Sequence, residues 1–148
     1  MRILGIVGSP RKNGNTEILM NEALKVAREA GCETEMFLMS EKQVAPCVAC
    51  YGCFKVGACV VQDDMQELYA MMDRADGIIF GSPVYFGSIT AQAKAAMDRM
   101  FALLRQRALK DKVAAALVVT RRVGAIQARS LIYGFCIAQG MIVSGGAI

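Results

Sequence analysis

With 148 residues, 55% of them apolar and 20% charged, the chain has the size and balance of one globular domain with a full hydrophobic core. No run approaches the roughly eighteen apolar residues that span a bilayer, and the N-terminus reaches a polar, glycine-rich loop too soon for a signal peptide, so a cytoplasmic protein with no membrane partner is expected. A net charge of +4 from scattered basic residues argues against nucleic acid, and the absence of histidine removes Ser–His and Cys–His nucleophile pairs, imidazole zinc sites and the commonest general base. Chemistry in this chain needs a cofactor.

Strand-like and helix-period segments alternate. "RILGIVG" (2–8) reads as a buried strand. "TEILMNEALKVAREAG" (16–31) reads as a helix with Ile18, Leu19, Ala23, Leu24, Val26, Ala27 and Ala30 on one face and Gly31 as its stop. "ETEMFLM" (33–39) alternates as a strand, with Met36 and Leu38 on one face. "DDMQELYAMMDRA" (63–75) opens with acids that suit the positive end of a helix dipole. A strand "GIIFG" (77–81), a long helix (90–109), a buried strand "KVAAALVVT" (112–120), a helix (127–140) and a fifth strand "MIVSGG" (141–146) complete the series. Continuous apolar strands between helices predict an α/β fold, a doubly wound five-stranded parallel sheet covered on both faces, in one domain over 1–148. Such a sheet ends on a fifth helix, and here the final helix is expected to be missing, since nothing follows Ile148.

The loop "GSPRKNGNT" (8–16) joins the first strand to a helix N-terminus, where backbone N–H groups and the helix dipole favour a phosphate. It is neither a Walker A loop nor G-x-G-x-x-G. As a plain turn, it would be capped by Asn15 or Thr16. A second loop, "GSPVYFGSITAQ" (81–92), follows the third strand. In a sheet of order 2-1-3-4-5, these two loops flank the crevice where strand order reverses, which is where open parallel sheets bind ligands. Pro83, Val84, Tyr85, Phe86 and Gly87 offer backbone amides and aromatic faces to a flat ring there, or else simply pack as a tight turn.

Between them lie Cys47, Cys50, Cys53 and Cys59, spaced C-x2-C-x2-C-x5-C. Three readings stay open from spacing alone: an iron–sulfur cluster, a tetrahedral zinc site, or reactive thiols including a redox C-x-x-C pair. Cys32 and Cys136 read as ordinary buried thiols, and Met71, Met72, Met97 and Met100 as core at helical spacing.

"GSPRKNGNT" and "GSPVYFGSITAQAKAAMDR" together resemble the FMN-binding segments of the flavodoxin-like NADPH-dependent FMN reductase superfamily, a likeness that covers residues 1–120. The resemblance implies that Ser9, Arg11, Asn13, Asn15 and Thr16 bind the FMN phosphate and that Pro83 to Gly87 lie along the ring. A phosphate loop followed by this cysteine spacing and "DDM" is similar to the iron–sulfur flavoprotein branch. There, four compact cysteines ligate a [4Fe-4S] cluster. By that likeness Cys47, Cys50, Cys53 and Cys59 are the metal ligands, the protein is a homo-oligomer (dimer or tetramer) in which cluster and FMN approach across subunits, and a ferredoxin or NAD(P)H is the electron donor.

After the fourth strand, the superfamily shows a stretch of the type G-G-x-R-x-G-G-Q-E. "TRRVGAIQA" (120–128) keeps only Gly124 and Gln127 of it, and Ala128 replaces the acid. Three functional readings follow. The first is an FMN-binding redox flavoprotein, an oxidoreductase transferring electrons between FMN and a [4Fe-4S] cluster. The second is an NAD(P)H-dependent FMN or quinone reductase without a cluster. The third is a non-catalytic flavin-binding module.

Overall fold

A computed structural model describes residues 1–145. Five parallel strands, β1 (Arg2–Val7), β2 (Glu33–Leu38), β3 (Gly77–Pro83), β4 (Val113–Val119) and β5 (Ile142–Val143), form one sheet of order β2-β1-β3-β4-β5. That is the order expected of a flavodoxin-like sheet. The strands are joined by α1 (Asn15–Glu29), α2 (Gly52–Val56) and α3 (Met65–Arg74), then α4 (Ala91–Arg99), α5 (Phe101–Leu104) and α6 (Ala125–Ala138).

The sheet separates two cores, because successive strand residues point to opposite faces. On one side Leu4, Ile6, Phe37, Ile78 and Phe80 meet α3, α4 and α6 through Leu68, Met72, Met97 and Ile132. On the other, Val7, Met36, Leu38 and Ile79 meet Met20 and Leu24 of α1. The four methionines expected in the core are all buried, as is Cys136, whereas Cys32 is only half-buried.

Several boundaries differ from the sequence reading. In α1 the buried residues are Thr16, Met20 and Leu24, flanked by half-buried Ala23 and Ala27. Ile18, Leu19 and Val26, expected on the core face, are exposed. At 100° per residue Ile18 lies across the helix from Met20 and Leu24, so grouping by hydrophobicity alone joined two faces. The helix predicted over 90–109 breaks at Met100 into α4 and α5 and ends at Leu104. The strand predicted as buried over 112–120 is fully buried only at Ala114, with Ala116 and Val118 half-buried on the same face. Register places Val113 with Gly77 and Ile142, on the side where, among the described residues, only α1 packs, and Val113 and Ile142 are exposed there. The predicted end of strand five at Gly146 lies outside the described residues, as does the chain end at which the final helix was expected to be missing. No helix among the described residues is long and apolar enough to cross a membrane.

Candidate functional site

The loop after β1 is held by both neighbouring elements. Gly8 N–H donates to the Gly81 carbonyl at 2.7 Å, and the Gly8 carbonyl accepts from the Thr90 hydroxyl at the N-cap of α4. A Cβ on Gly8 would stand 2.6 Å from the Ala93 Cβ and 3.0 Å from the Gly81 carbonyl, so only glycine lets α4 come this close. Beyond it the chain curls back: Ser9, 4% exposed, accepts from Arg11 N–H at 3.1 Å through Oγ. Asn13 sits at φ +54° with its N–H donating to Glu17 Oε2 at 2.7 Å.

Gly14 is the N-cap of α1, and no side chain caps it, so the capping by Asn15 or Thr16 that goes with a plain turn is absent. Asn15 instead opens the helix and Thr16 is buried beneath it, 2% exposed. Glu17 and Ile18 N–H both donate to the Gly14 carbonyl (2.9 and 3.0 Å), which leaves the N–H groups of Asn15 and Thr16 to meet an outside acceptor. Arg11, Asn13 and Asn15 are exposed around them. Ser9, Arg11, Asn13, Asn15 and Thr16 thus belong to one curled turn, and Glu17 is an acid in that turn that sequence reading overlooked.

The second loop leaves the end of β3 at Pro83. Val84 N–H donates to the Val119 carbonyl at 2.8 Å, and Tyr85 and Ser88 exchange two backbone hydrogen bonds of 2.9 and 3.0 Å. The two residues between them, Phe86 at φ +50° and Gly87 at φ +77°, make a tight turn of the kind that needs positive φ twice. Phe86 is fully exposed at its tip, and Tyr85 is 42% exposed. The loop between β4 and α6, residues 120–124, packs against this turn through Gly124, with Arg121, Arg122 and Val123 exposed. The three loops lie beyond the carboxyl ends of β1, β3 and β4, and the first two flank the point where strand order reverses.

The cysteines occupy a separate loop between β2 and α3. Its neck is closed where Gln43 N–H donates to Asp64 Oδ2 (2.6 Å) and Asp64 N–H to the Gln43 carbonyl (3.2 Å). Cys47 and Cys50 are exposed and Cys53 and Cys59 half-buried, with Ala49 and Tyr51 both in the left-handed region. All four cysteines line one cavity of about 400 Å³. Among the described residues, no three Cys, His, Asp or Glu groups converge on a common point able to hold a metal ion. The donor set and the room suit a four-thiolate cofactor; the sulfurs share a cavity without pointing at one centre.

Gln66, Arg105 and Gln106 donate to carbonyls of this loop, at Val61, Phe54 and Gly57, and the most buried side chain that ties it to the fold is an arginine. Arg99, the last residue of α4, is 2% exposed. Its Nη1 donates to the Ala45 carbonyl (3.0 Å) and Asp63 Oδ2 (2.8 Å), and its Nη2 to the Val61 carbonyl (3.1 Å) and Asp63 Oδ1 (3.1 Å). Its Nε donates to Cys59 Sγ at 3.2 Å. Burial disfavours the charged guanidinium, but the hydrogen bonds and charges of Asp63 and Cys59 outweigh it and raise its pKa further. Burial likewise opposes ionisation of Asp63, but Arg99 and the N–H groups of Ala45 and Met65 hold its carboxyl below the usual range. Arg99 and Asp63 were not among the sequence candidates. The available signal was an arginine on the buried stripe of α4, three positions after Ala96, where a charge requires a buried partner.

Helix α4 therefore connects the two regions: Thr90 at its start holds the phosphate-type loop, and Arg99 at its end holds the cysteine loop. Nine helical residues span about 14 Å.

Residues 1–148 match the family described as NADPH-dependent FMN reductase. An iron-sulfur flavoprotein of Methanosarcina thermophila is 47% identical over 148 residues, covering 98% of this chain and 78% of that protein. One of Methanocaldococcus jannaschii is 42% identical over 147 residues, covering 98% and 76%. Among solved structures, RosB with bound 8-demethyl-8-formylriboflavin-5'-phosphate superposes with a TM-score of 0.82 at 18% identity, over 97% of this chain and 61% of RosB. The chain thus spans about three fifths of RosB's length. The NAD(P)H:quinone oxidoreductase of Methanothermobacter marburgensis superposes with a TM-score of 0.75 at 16% identity, over 100% and 85%. At such identities, the superpositions speak for the fold alone. The chain belongs to the NADPH-dependent FMN reductase family, in its iron–sulfur flavoprotein branch, and is a flavodoxin-like FMN-dependent oxidoreductase.

Proposed function

We propose that this flavoprotein binds FMN in the crevice beyond β1 and β3, holds a [4Fe-4S] cluster on Cys47, Cys50, Cys53 and Cys59, and passes electrons between the two. The observation that carries the reading is that all four cysteines line one cavity, at the far end of the helix whose start holds the phosphate-type loop. FMN exchanges electrons in pairs or singly and a cluster exchanges them singly, so the two together split a two-electron donor into one-electron steps.

The chain's own residues then have positional roles. Asn15 and Thr16 present first-turn N–H groups, and Ser9, Arg11 and Asn13 complete an anion cradle for the FMN phosphate. Pro83, Val84, Tyr85, Phe86 and Gly87 form the wall along the ring, braced by Gly124. Arg99 fixes Cys59, leaving the more exposed Cys47 and Cys50 on the free part of the loop.

The reading extends to a homo-oligomer, dimer or tetramer. Phe86 at the flavin-side turn and Val48, Tyr51 and Phe54 around the cysteines are exposed, as surfaces that meet another copy would be. A ferredoxin or NAD(P)H is the donor, and the cytoplasm, where six unpaired thiols stay reduced, is the location.

The test is anaerobic purification with a visible spectrum before and after reduction, together with FMN, iron and acid-labile sulfide content. Flavin bands over a broad shoulder that bleaches on reduction, with about four irons per FMN, support the reading. Flavin bands alone, with no iron, overturn it. One observation favours a second reading: the sulfurs do not converge on a common point. A reductase whose cysteines are free thiols would turn over NAD(P)H without iron, and the same preparation distinguishes the two.

A further inference from the structure

Arg99 is buried, charged and hydrogen-bonded to the sulfur of Cys59, and its charge is countered at once by Asp63. The three groups form a row in which Cys59 contacts the guanidinium and the carboxylate lies on the guanidinium's other edge. Asp98 also lines the cysteine cavity, but it is about half exposed and paired with Lys94, so solvent and that ammonium screen its charge where no solvent screens the buried Arg99. A buried positive group at a ligand sulfur stabilises the more negative, reduced form of a cluster, and a buried negative group behind it does the reverse. We propose that Arg99 and Asp63 form an opposed pair that tunes the reduction potential of the cluster on Cys59, Arg99 raising it and Asp63 lowering it.

The proposal rests on the cluster reading above. The step concerned is the gain of one electron by the oxidised cluster from an external reductant, dithionite in the test. No bond to protein forms or breaks and no proton moves. Arg99 and Asp63 touch Cys59 or act through it, so they are positioning and tuning residues. Lysine at position 99 would keep a charge, but one ammonium cannot serve Cys59, Asp63 and two carbonyls together.

The experiment is an anaerobic redox titration of the holoprotein, following the cluster by EPR and by absorbance beyond the flavin bands, in wild type, Asp63→Asn, Arg99→Gln and Arg99→Lys. Iron, sulfide and FMN are quantified in each. At a fixed solution potential, the ratio of reduced to oxidised cluster rises about tenfold in Asp63→Asn and falls about tenfold in Arg99→Gln, each about 59 mV for a one-electron couple. Arg99→Lys falls by less. A loop-anchoring role alone would not shift the two charge-removing variants in opposite directions.

Shifts of the same sign, or unchanged potentials with iron retained, overturn the proposal. If Arg99→Gln does not fold, the sign of the Asp63→Asn shift decides alone. Loss of iron from all three variants with FMN retained makes the pair a mechanical clamp and overturns the tuning role. Wild-type protein without iron overturns the cluster reading itself and is recognised before any variant is made.

Discussion

A Cβ on Gly124 would lie 2.9 Å from the Cα of Gly87, so the loop after β4 and the turn after β3 touch backbone to backbone. Gly124 also has φ +96° and would meet Val84 Cγ1 at 2.8 Å. The departure of "TRRVGAIQA" from the family's glycine-rich stretch therefore spares the glycine that this contact requires.

Gly124→Ala both strains the backbone and pushes the turn at Phe86 and Gly87 outward. The expected loss of stability is about 1–3 kcal/mol, from the positive φ and the clash together. FMN affinity falls in parallel, because the displaced turn is the proposed ring wall. Urea denaturation of the apoprotein and a flavin titration measure the two effects. Adding Val84→Ala relieves the Val84 clash but neither the φ strain nor the Gly87 contact, so recovery is partial. Full recovery would show that Gly87 does not bear on Gly124.

Phe86 presents the reverse case. A fully exposed aromatic residue at φ +50° is held in a conformation that costs an ordinary residue roughly 1–2 kcal/mol. Phe86→Gly relaxes the turn, and the apoprotein melts about 2–4 °C higher for a net gain of about 1 kcal/mol. If the ring serves FMN, affinity drops about fivefold, corresponding to about 1 kcal/mol. Higher stability with weaker flavin binding is the expected combination. Unchanged flavin affinity would remove Phe86 from the ring wall.

Much of this was legible in the sequence because the signals were local. The alternation of "RILGIVG", "GIIFG" and "KVAAALVVT" with helical segments pointed to a parallel sheet between helices, and glycine-rich turns after strands one and three marked the crevice once the flavodoxin-like order was taken. What was not legible depended on contacts distant in sequence. Thr90 reaches back 82 residues to Gly8, and Arg99 reaches 40 residues to Cys59, so neither follows from local spacing. Asp63 was read only as an acid suited to a helix start, because the arginine that claims it lies 36 residues later, past α3 and β3 at the end of α4. The exposed side of β4 escaped notice because a run such as "VAAALVV" looks the same whether one face or both are covered.

The Asp63 carboxyl titrates below its ordinary value, which fixes the sign of its contribution to stability. A carboxyl with a depressed folded pKa stabilises the fold fully above its unfolded value of about 3.9, and loses that contribution as pH falls through the lower folded value. Wild type is therefore expected to lose stability steeply below about pH 4. In Asp63→Asn the guanidinium of Arg99 stays buried with no countercharge at any pH, costing about 3 kcal/mol at pH 7. The two stability curves converge in acid, where wild type has lost the same charge. Parallel urea midpoints from pH 3 to pH 7 would show that Asp63 does not ionise as the ion pair requires.

The cysteines separate by exposure and burial into reactive and inert groups. Cys47 and Cys50 are exposed, whereas burial pushes the Cys136 thiol up to about 12, so it stays protonated and unreactive in the folded chain. In iron-free protein at pH 8, iodoacetamide followed by mass spectrometry should label Cys47 and Cys50 first and Cys136 only after unfolding. In anaerobically prepared holoprotein, all four loop cysteines should resist labelling, since a ligated thiolate is not free to react. Cys50→Ser should remove the iron while leaving FMN at one per chain, because the phosphate loop is held by Thr90 at the opposite end of α4 from Arg99. Loss of FMN along with the iron would contradict two separately supported sites joined by one helix, and rapid labelling of Cys47 in iron-loaded protein would remove that residue from the ligand set.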